Sequence, residues 1–156
     1  MASTLQNELK KRGPFDSLEQ EAALSVMRTS DLLENRLARL LREHGLTGSQ
    51  YNVLRILRGE GKPMPCLEVA DRMIQVAPAI TRVVNQLLER ELIVKTQCPQ
   101  DRRVFHIEIN ANSKRLLKKL DGPLLDLHSS LLSSVPKKDL RALIGILENV
   151  RLNVGI

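Results

Sequence analysis

Four polar side chains near the middle of the chain are spaced to meet one surface. Thr81, Arg82, Asn85 and Gln86 fall on one face of a helix, while Ile80, Val83, Val84, Leu87 and Leu88 fall on the other. A hydroxyl, a guanidinium and two carboxamides are groups that pair with nucleic acid. The guanidinium fork of Arg82 fits guanine O6 and N7, or holds a phosphate. Ala77, Pro78 and Ala79 precede them and are small enough for the backbone to approach a base closely. Farther along, Lys95 and the adjacent Arg102 and Arg103, just after Asp101, add positive charge. A guanidinium on a hairpin tip is drawn to a narrow minor groove, where negative potential concentrates. Strand geometry would aim the two arginines at different faces, so that one enters a groove and the other pairs with Asp101 to stiffen the turn. The plainer reading of each segment alone is a solvated helix face and a charged loop.

Other chemistry is sparse. Two cysteines, Cys66 and Cys98, are too few for a disulfide framework. Cys66 falls near a helix start, where the helix dipole can favour a thiolate, so oxidation of Cys66 or Cys98 offers a route to a redox response. His44, His106 and His128 stand apart, without company at metal-ligand spacing, so neither metal nor cofactor is expected. His44 suits a helix C-terminus, and His106 an outward strand position. There is no nucleophile elbow, phosphate loop or pair of active-site carboxylates, and the enzyme class is excluded.

The elements that must position these residues follow from the pattern. Residues 1–16 are polar, carry Lys10-Lys11-Arg12 and end in Gly13-Pro14, and read as a flexible arm. Ser17 and Gln20 form a capping-box signature for a long helix to about His44, closed by Gly45. Thr47 and Gln50 repeat the signature for a helix to about Arg58, with Gly59, Gly61 and Pro63 as breakers. Short helices are predicted over about 66–73 and 77–90, a helix–turn–helix pair whose second member enters a major groove. The period then changes to two: Leu92 to Thr96 is one strand, and Val104 to Ile109 another, with Phe105, Ile107 and Ile109 on one face. Asn110 caps a helix over about 111–132, kinked at Gly122-Pro123. The last helix, about 137–153, spaces Leu140, Leu143, Leu147, Val150 and Val154 three and four apart, a heptad seam suited to a partner helix.

The fold class is therefore mainly α with a small β-hairpin wing: a winged helix–turn–helix over residues 46–110, flanked by a helical dimerisation region built from residues 17–45 and 111–156. Length agrees, since 156 residues suit one domain with an oligomerisation extension. Aromatics are only Tyr51, Phe15 and Phe105, so Leu, Ile and Val must build the core. Lys and Arg outnumber Asp and Glu by 24 to 18, which favours an anionic partner such as nucleic acid. No apolar run is long enough to span a bilayer, and the first residues lack a signal-peptide apolar region, so no membrane partner is expected and the expected location is cytoplasmic.

Here the residues carry a resemblance. LTGSQYNVLRILRGEGK, VADRM, APAITRVVNQLLERELIVK and CPQDRRVFHIEIN resemble the second helix, third helix, recognition helix with first wing strand, and wing of the multiple antibiotic resistance regulator (MarR) family. The likeness extends over about residues 18–153. It implies a homodimer held by terminal helices, with recognition helices in successive major grooves of a pseudo-palindrome and wings in adjacent minor grooves. Thr81, Arg82 and Asn85 fall at groove-facing positions, Asp101 at the wing's structural aspartate, and Arg102 and Arg103 at the wing arginines. The family also implies a repressor released by a small aromatic or anionic ligand, bound near the first helix, the second helix at Tyr51, and the helix after the wing. Three departures stand out. Glu91 occupies the usual place of a Gly, where a left-handed cap strains it. Pro65 replaces a hydroxyl cap, and Val76 or Ala77 replaces a polar one.

The expected function is sequence-specific recognition of double-stranded DNA by a homodimeric transcriptional regulator. Two alternatives are a winged-helix module that binds a polypeptide through the apolar run Val76 to Ile80, and a regulator that responds to redox through Cys66 or Cys98.

Overall fold

The computed structural model describes residues 4–75 and 79–155. Its elements are α1 (Thr4–Glu8), α2 (Leu18–Glu43), α3 (Gly48–Glu60), β1 (Met64–Pro65), α4 (Cys66–Asp71), α5 (Ile80–Glu89), β2 (Ile93–Gln97), β3 (Phe105–Ile109), α6 (Ala111–Leu131) and α7 (Lys137–Val154). Two compact units emerge, residues 1–120 and residues 121–156.

The helix boundaries follow their caps. Ser17 Oγ accepts the Gln20 N–H at 3.1 Å, as its hydroxyl demands. The Gln20 carboxamide reaches one residue farther back than a capping box requires: its Oε1 accepts from Asp16 N and its Nε2 donates to Asp16 Oδ2. At α3 the box is complete, with Gln50 N–H bonded to Thr47 Oγ1 and Thr47 N–H to Gln50 Oε1, both at 3.1 Å. Gly59 does not break this helix. It continues to Glu60 and ends at Gly61, which takes the left-handed conformation at φ 71°. Asn110 and Ser113 cap α6 reciprocally, and that helix runs without interruption through Pro123. Within the segment expected to be a flexible arm, α1 forms and buries Leu5, while Gln6 Nε2 donates to the carbonyls of Lys11 and Gly13.

In the first unit α3 is central. It packs against α2, α4, α5 and β3, and Val53, Leu54 and Leu57 are almost wholly buried. Leu41, Met64, Val69, Val84, Leu87, Ile107, Leu117 and Leu120 complete this aliphatic core. Each such side chain stabilises the fold by roughly 1.5–3 kcal/mol on burial, which is how a chain without tryptophan holds its lobe. The sheet has three strands, in the order β1-β3-β2, all antiparallel. β1 pairs Met64 with Ile107 and Pro65 with His106. Two residues are too short for any periodicity, so this strand leaves no trace in the sequence pattern.

The turn after α5 has an unusual occupant. Glu91 N–H bonds to Leu88 O at 3.0 Å and Leu92 N–H to Leu87 O at 2.9 Å, which is the Schellman closure, with Glu91 at φ 54°. After α2 the same pair of bonds joins Gly45 to Arg42 and Leu46 to Leu41, with Gly45 at φ 72°. The position where the resemblance calls for Gly therefore keeps its left-handed backbone although Glu fills it.

Candidate nucleic-acid interface

The second helix of the pair, α5, is shorter than predicted. It begins at Ile80, with Ala79 in the cap position and no side-chain cap, so the apolar cap expected at Val76 or Ala77 falls at Ala79 instead. Ala77 and Pro78, expected at the groove, lie outside the described residues, as does Val76. The apolar side of α5 seats Val84 and Leu87 in the core, with Ile80, Val83 and Leu88 half-buried beside them. That anchoring leaves Thr81, Arg82, Asn85 and Glu89 exposed, and these line one open concavity with Ala79 and Gln86.

Gln86 sits differently from its neighbours. It is half-buried, and its Oε1 accepts from Gln50 Nε2 at 3.2 Å. The side chain is thus held to α3, where the sequence pattern placed it free on the polar face. Gln50, buried at 6 % exposure, also accepts from Arg90 Nη1 at 3.1 Å. This joins the start of α3 to the length of α5, and nothing in either segment read alone signals it.

Arg102 and Arg103 lie in a turn rather than in a strand, so strand alternation does not govern their directions. Asp101 acts through the backbone: its Oδ1 accepts Arg103 N–H at 2.9 Å, and its carbonyl accepts Val104 N–H at 3.0 Å. The expected pairing of Asp101 with an arginine side chain is replaced by this Asx-type turn, which an aspartate side chain closes without an opposite charge. Gln97 Nε2 closes the turn from the other side by donating to Arg102 O at 2.7 Å. Both guanidinium groups, and that of Arg82, have no hydrogen-bond or ion-pair partner among the described residues. Unpaired guanidinium groups on an exposed helix and an exposed turn make a surface ready for phosphates and base edges. Lys95 is exposed as well, and its Nζ lies 4.3 Å from the centre of the Phe105 ring, on the sheet face that carries Ile107.

Arg72, unlike these three arginines, is paired. Arg72 Nη1 lies 2.6 Å from Glu60 Oε2 and Nη2 3.7 Å from Glu68 Oε2, and the Arg72 guanidinium holds the Glu60 carboxyl below the usual carboxylate range. No local pattern signals this bridge between α3 and the end of α4. Burial pushes the Cys66 thiol above its ordinary range, with the Lys95 ammonium working the other way. That opposes the thiolate expected from the helix dipole, and α4 is only six residues long. Cys98 is half-buried, and its Sγ donates to Gln100 Oε1 at 3.2 Å. His44 caps α2, its Nδ1 3.1 Å from Leu40 O, at the helix end where it was expected. Among the described residues no group of three His, Cys, Asp or Glu side chains gathers as a metal site, and no helix is long and apolar enough to cross a membrane.

A cavity of about 280 Å³ opens beside α3. Its lining includes Glu34, Leu37 and Ala38 of α2, Tyr51 and Asn52 of α3, and Met73. α2 and Tyr51 were expected at such a junction, but α6 does not line it. In the second unit, α7 buries none of its residues. Leu140 and Leu147 of the heptad seam are half-buried, while Leu143 and Val150 are exposed. Ile144 and Ile146, outside the seam, are 57 % and 59 % exposed, so the apolar surface is broader than a single stripe.

The sequence pattern of the MarR family matches residues 46–105. A solved MarR transcription factor from Planctomyces limnophilus is 36% identical, with a TM-score of 0.67, and the match covers 86% of this chain and 98% of that one. The HTH-type transcriptional regulator MhqR of Bacillus subtilis is 24% identical over 121 residues, 78% of this chain and 83% of that protein. The fold also matches a mutant MarR from E. coli, solved with operator DNA, at a TM-score of 0.76 and 17% identity over 95% of this chain and 99% of that one.

Proposed function

From the premise that this chain belongs to the MarR family of transcription regulators, we propose that it acts in the cytoplasm as a homodimeric repressor on a pseudo-palindromic DNA site. α5 lies in the major groove, with Thr81, Arg82 and Asn85 toward base edges and phosphates, and the turn of Arg102 and Arg103 reaches the adjacent minor groove. Lys95 adds charge along the wing. Asp101 shapes the turn that presents the arginines. The observation that carries this reading is the set of three guanidinium groups left without protein partners, among the described residues, on the two exposed elements of one lobe.

Dimerisation is assigned to the terminal helices. An 18-residue amphipathic helix with no fully buried residue, and with Leu143 and Val150 exposed, needs another surface to cover Leu140, Leu143, Leu147 and Val150. Repression follows most simply, because occupancy of a promoter needs no surface beyond the one that holds DNA. The cavity beside α3 is the place for a small aromatic ligand: it is concave and largely apolar, and Tyr51 and Asn52 offer polar groups.

The test is a fluorescence-anisotropy titration against DNA upstream of the protein's own gene, with unrelated DNA alongside, at two salt concentrations. Tight, site-selective binding with a steep salt dependence is expected, because each neutralised phosphate contributes about −0.9 to the log–log slope. Equal weak binding to both DNAs, or none at low salt, counts against the reading.

A further inference from the structure

The carboxamide of Gln50 can adopt only one sense. Its Oε1 faces the Thr47 N–H and the Arg90 guanidinium, each at 3.1 Å, and both groups can only donate. Nitrogen in that place would set donor against donor, so oxygen lies there and Nε2 lies on the far side. Nε2 meets the Gln86 carboxamide at 3.2 Å, and a donor in that position requires Gln86 to turn its oxygen inward. Gln86 Nε2 then has no partner among the described residues, and Gln86 borders the concavity that Thr81, Arg82 and Asn85 share.

We propose that Gln50 makes Gln86 a donor-only specificity residue of the recognition helix, selecting a base that offers an acceptor in the major groove, such as guanine O6 or N7 or thymine O4. A free glutamine pairs with adenine from both sides, donating to N7 and accepting from N6. With Oε1 turned to Gln50, the accepting half of that contact is withdrawn, and adenine loses its advantage at this position. Gln50 itself touches no DNA in this scheme; it is a positioning residue. The proposal rests on the reading of α5 as the helix that enters the major groove.

Gln50→Glu separates this role from a merely structural one. A carboxylate still accepts from Thr47 N–H and Arg90, so the cap and its link to α5 persist. It can no longer donate to Gln86, and it draws Gln86 Nε2 inward and turns Oε1 outward. Duplexes are selected from a random pool with wild type, with Gln50→Glu, and with Gln50→Glu combined with Gln86→Ala, and affinities for the enriched sites are then compared at one salt concentration. The expected result is a change at one position of each half-site toward a base that offers a donor, adenine or cytosine, with relative affinity shifting about tenfold. The double variant loses the preference at that position. Preference unchanged within about twofold in Gln50→Glu, with an unaltered melting curve, overturns the proposal. Should Gln50→Glu fail to fold, Gln86→Met removes the donor at similar length; it is expected to lose about tenfold at the wild-type site, and no loss overturns the proposal. If wild type enriches no sequence at all, the reading of the chain as a sequence-specific regulator fails, and this inference fails with it.

Discussion

The side-chain amide of Asn110 donates to the carbonyl of Glu91 at 2.7 Å, tying the residue that caps α6 to the one that closes α5. Asn110 also accepts the Ser113 N–H, so one side chain starts a helix and steadies the exit of another. Glu91 is held in the left-handed region by this bond and by the Schellman pair around it.

Left-handed backbone costs a residue with a Cβ about 1–2 kcal/mol. Glu91→Gly is therefore expected to raise stability by about 1 kcal/mol, read as a higher urea midpoint with an unchanged slope. Gly45→Ala should do the reverse and by more. Its φ is 72°, and a Cβ there would lie 3.2 Å from Arg90 Nη2. A neutral Glu91→Gly would show that the strain is relieved elsewhere in the turn.

Arg82→Ala and Arg102→Ala should weaken DNA binding in distinguishable ways. Loss of Arg82 relaxes preference at one base pair by about 1–3 kcal/mol if it reads a base, and weakens all duplexes alike if it holds a phosphate. Loss of Arg102 should be felt mainly with A·T-rich flanks, where the minor groove is narrow. Anisotropy titrations on flank-swapped duplexes separate the three outcomes.

Leu147→Asp should convert a dimer to monomers, because a charge placed in an apolar interface without a partner is costly to desolvate. Sedimentation velocity gives the mass directly. A dimer of unchanged affinity would place the interface elsewhere than on α7.

Proton linkage gives a fourth expectation. Cys66 has its pKa raised in the folded state by burial, so the folded chain keeps its thiol proton to higher pH than the unfolded chain. The associated stability is present below the unfolded thiol pKa and is lost as pH rises past it toward the folded value. In a Cys98→Ser background, Cys66 should react with iodoacetamide more slowly when folded than in urea. Faster reaction in the folded state would revive redox sensing. Glu60 runs the other way: its lowered pKa gives stability that is present at neutral pH and lost as pH falls through the folded value.

Legibility in the sequence tracked the range of the interaction. Thr47 with Gln50, Asn110, and the alternation from Val104 to Ile109 are local signals, and each element appeared where its signal lay. Gly59 misled because a helix tolerates one glycine at modest cost while Leu57 and Ile56 are buried beside it. The contacts from Gln50 to Gln86 and Arg90 span 36 and 40 residues, and the Glu60–Arg72 bridge spans 12, so no window of periodicity contains them. Arg102 and Arg103 stand out in the sequence by their type, but their directions depend on a turn closed by Asp101 and Gln97, which strand geometry does not describe.

The sheet has a consequence for how copies of this chain meet. Its central strand, β3, has a neighbour on each side, so the strands open to a newcomer are β1 and β2. β1 is two residues long and ends in Pro65, which has no N–H to donate. β2 exposes one apolar residue, Val94, beside the polar Lys95, Thr96 and Gln97. Neither edge offers the long apolar template on which foreign strands align, and a crowded solution of this protein has little means of growing by strand addition.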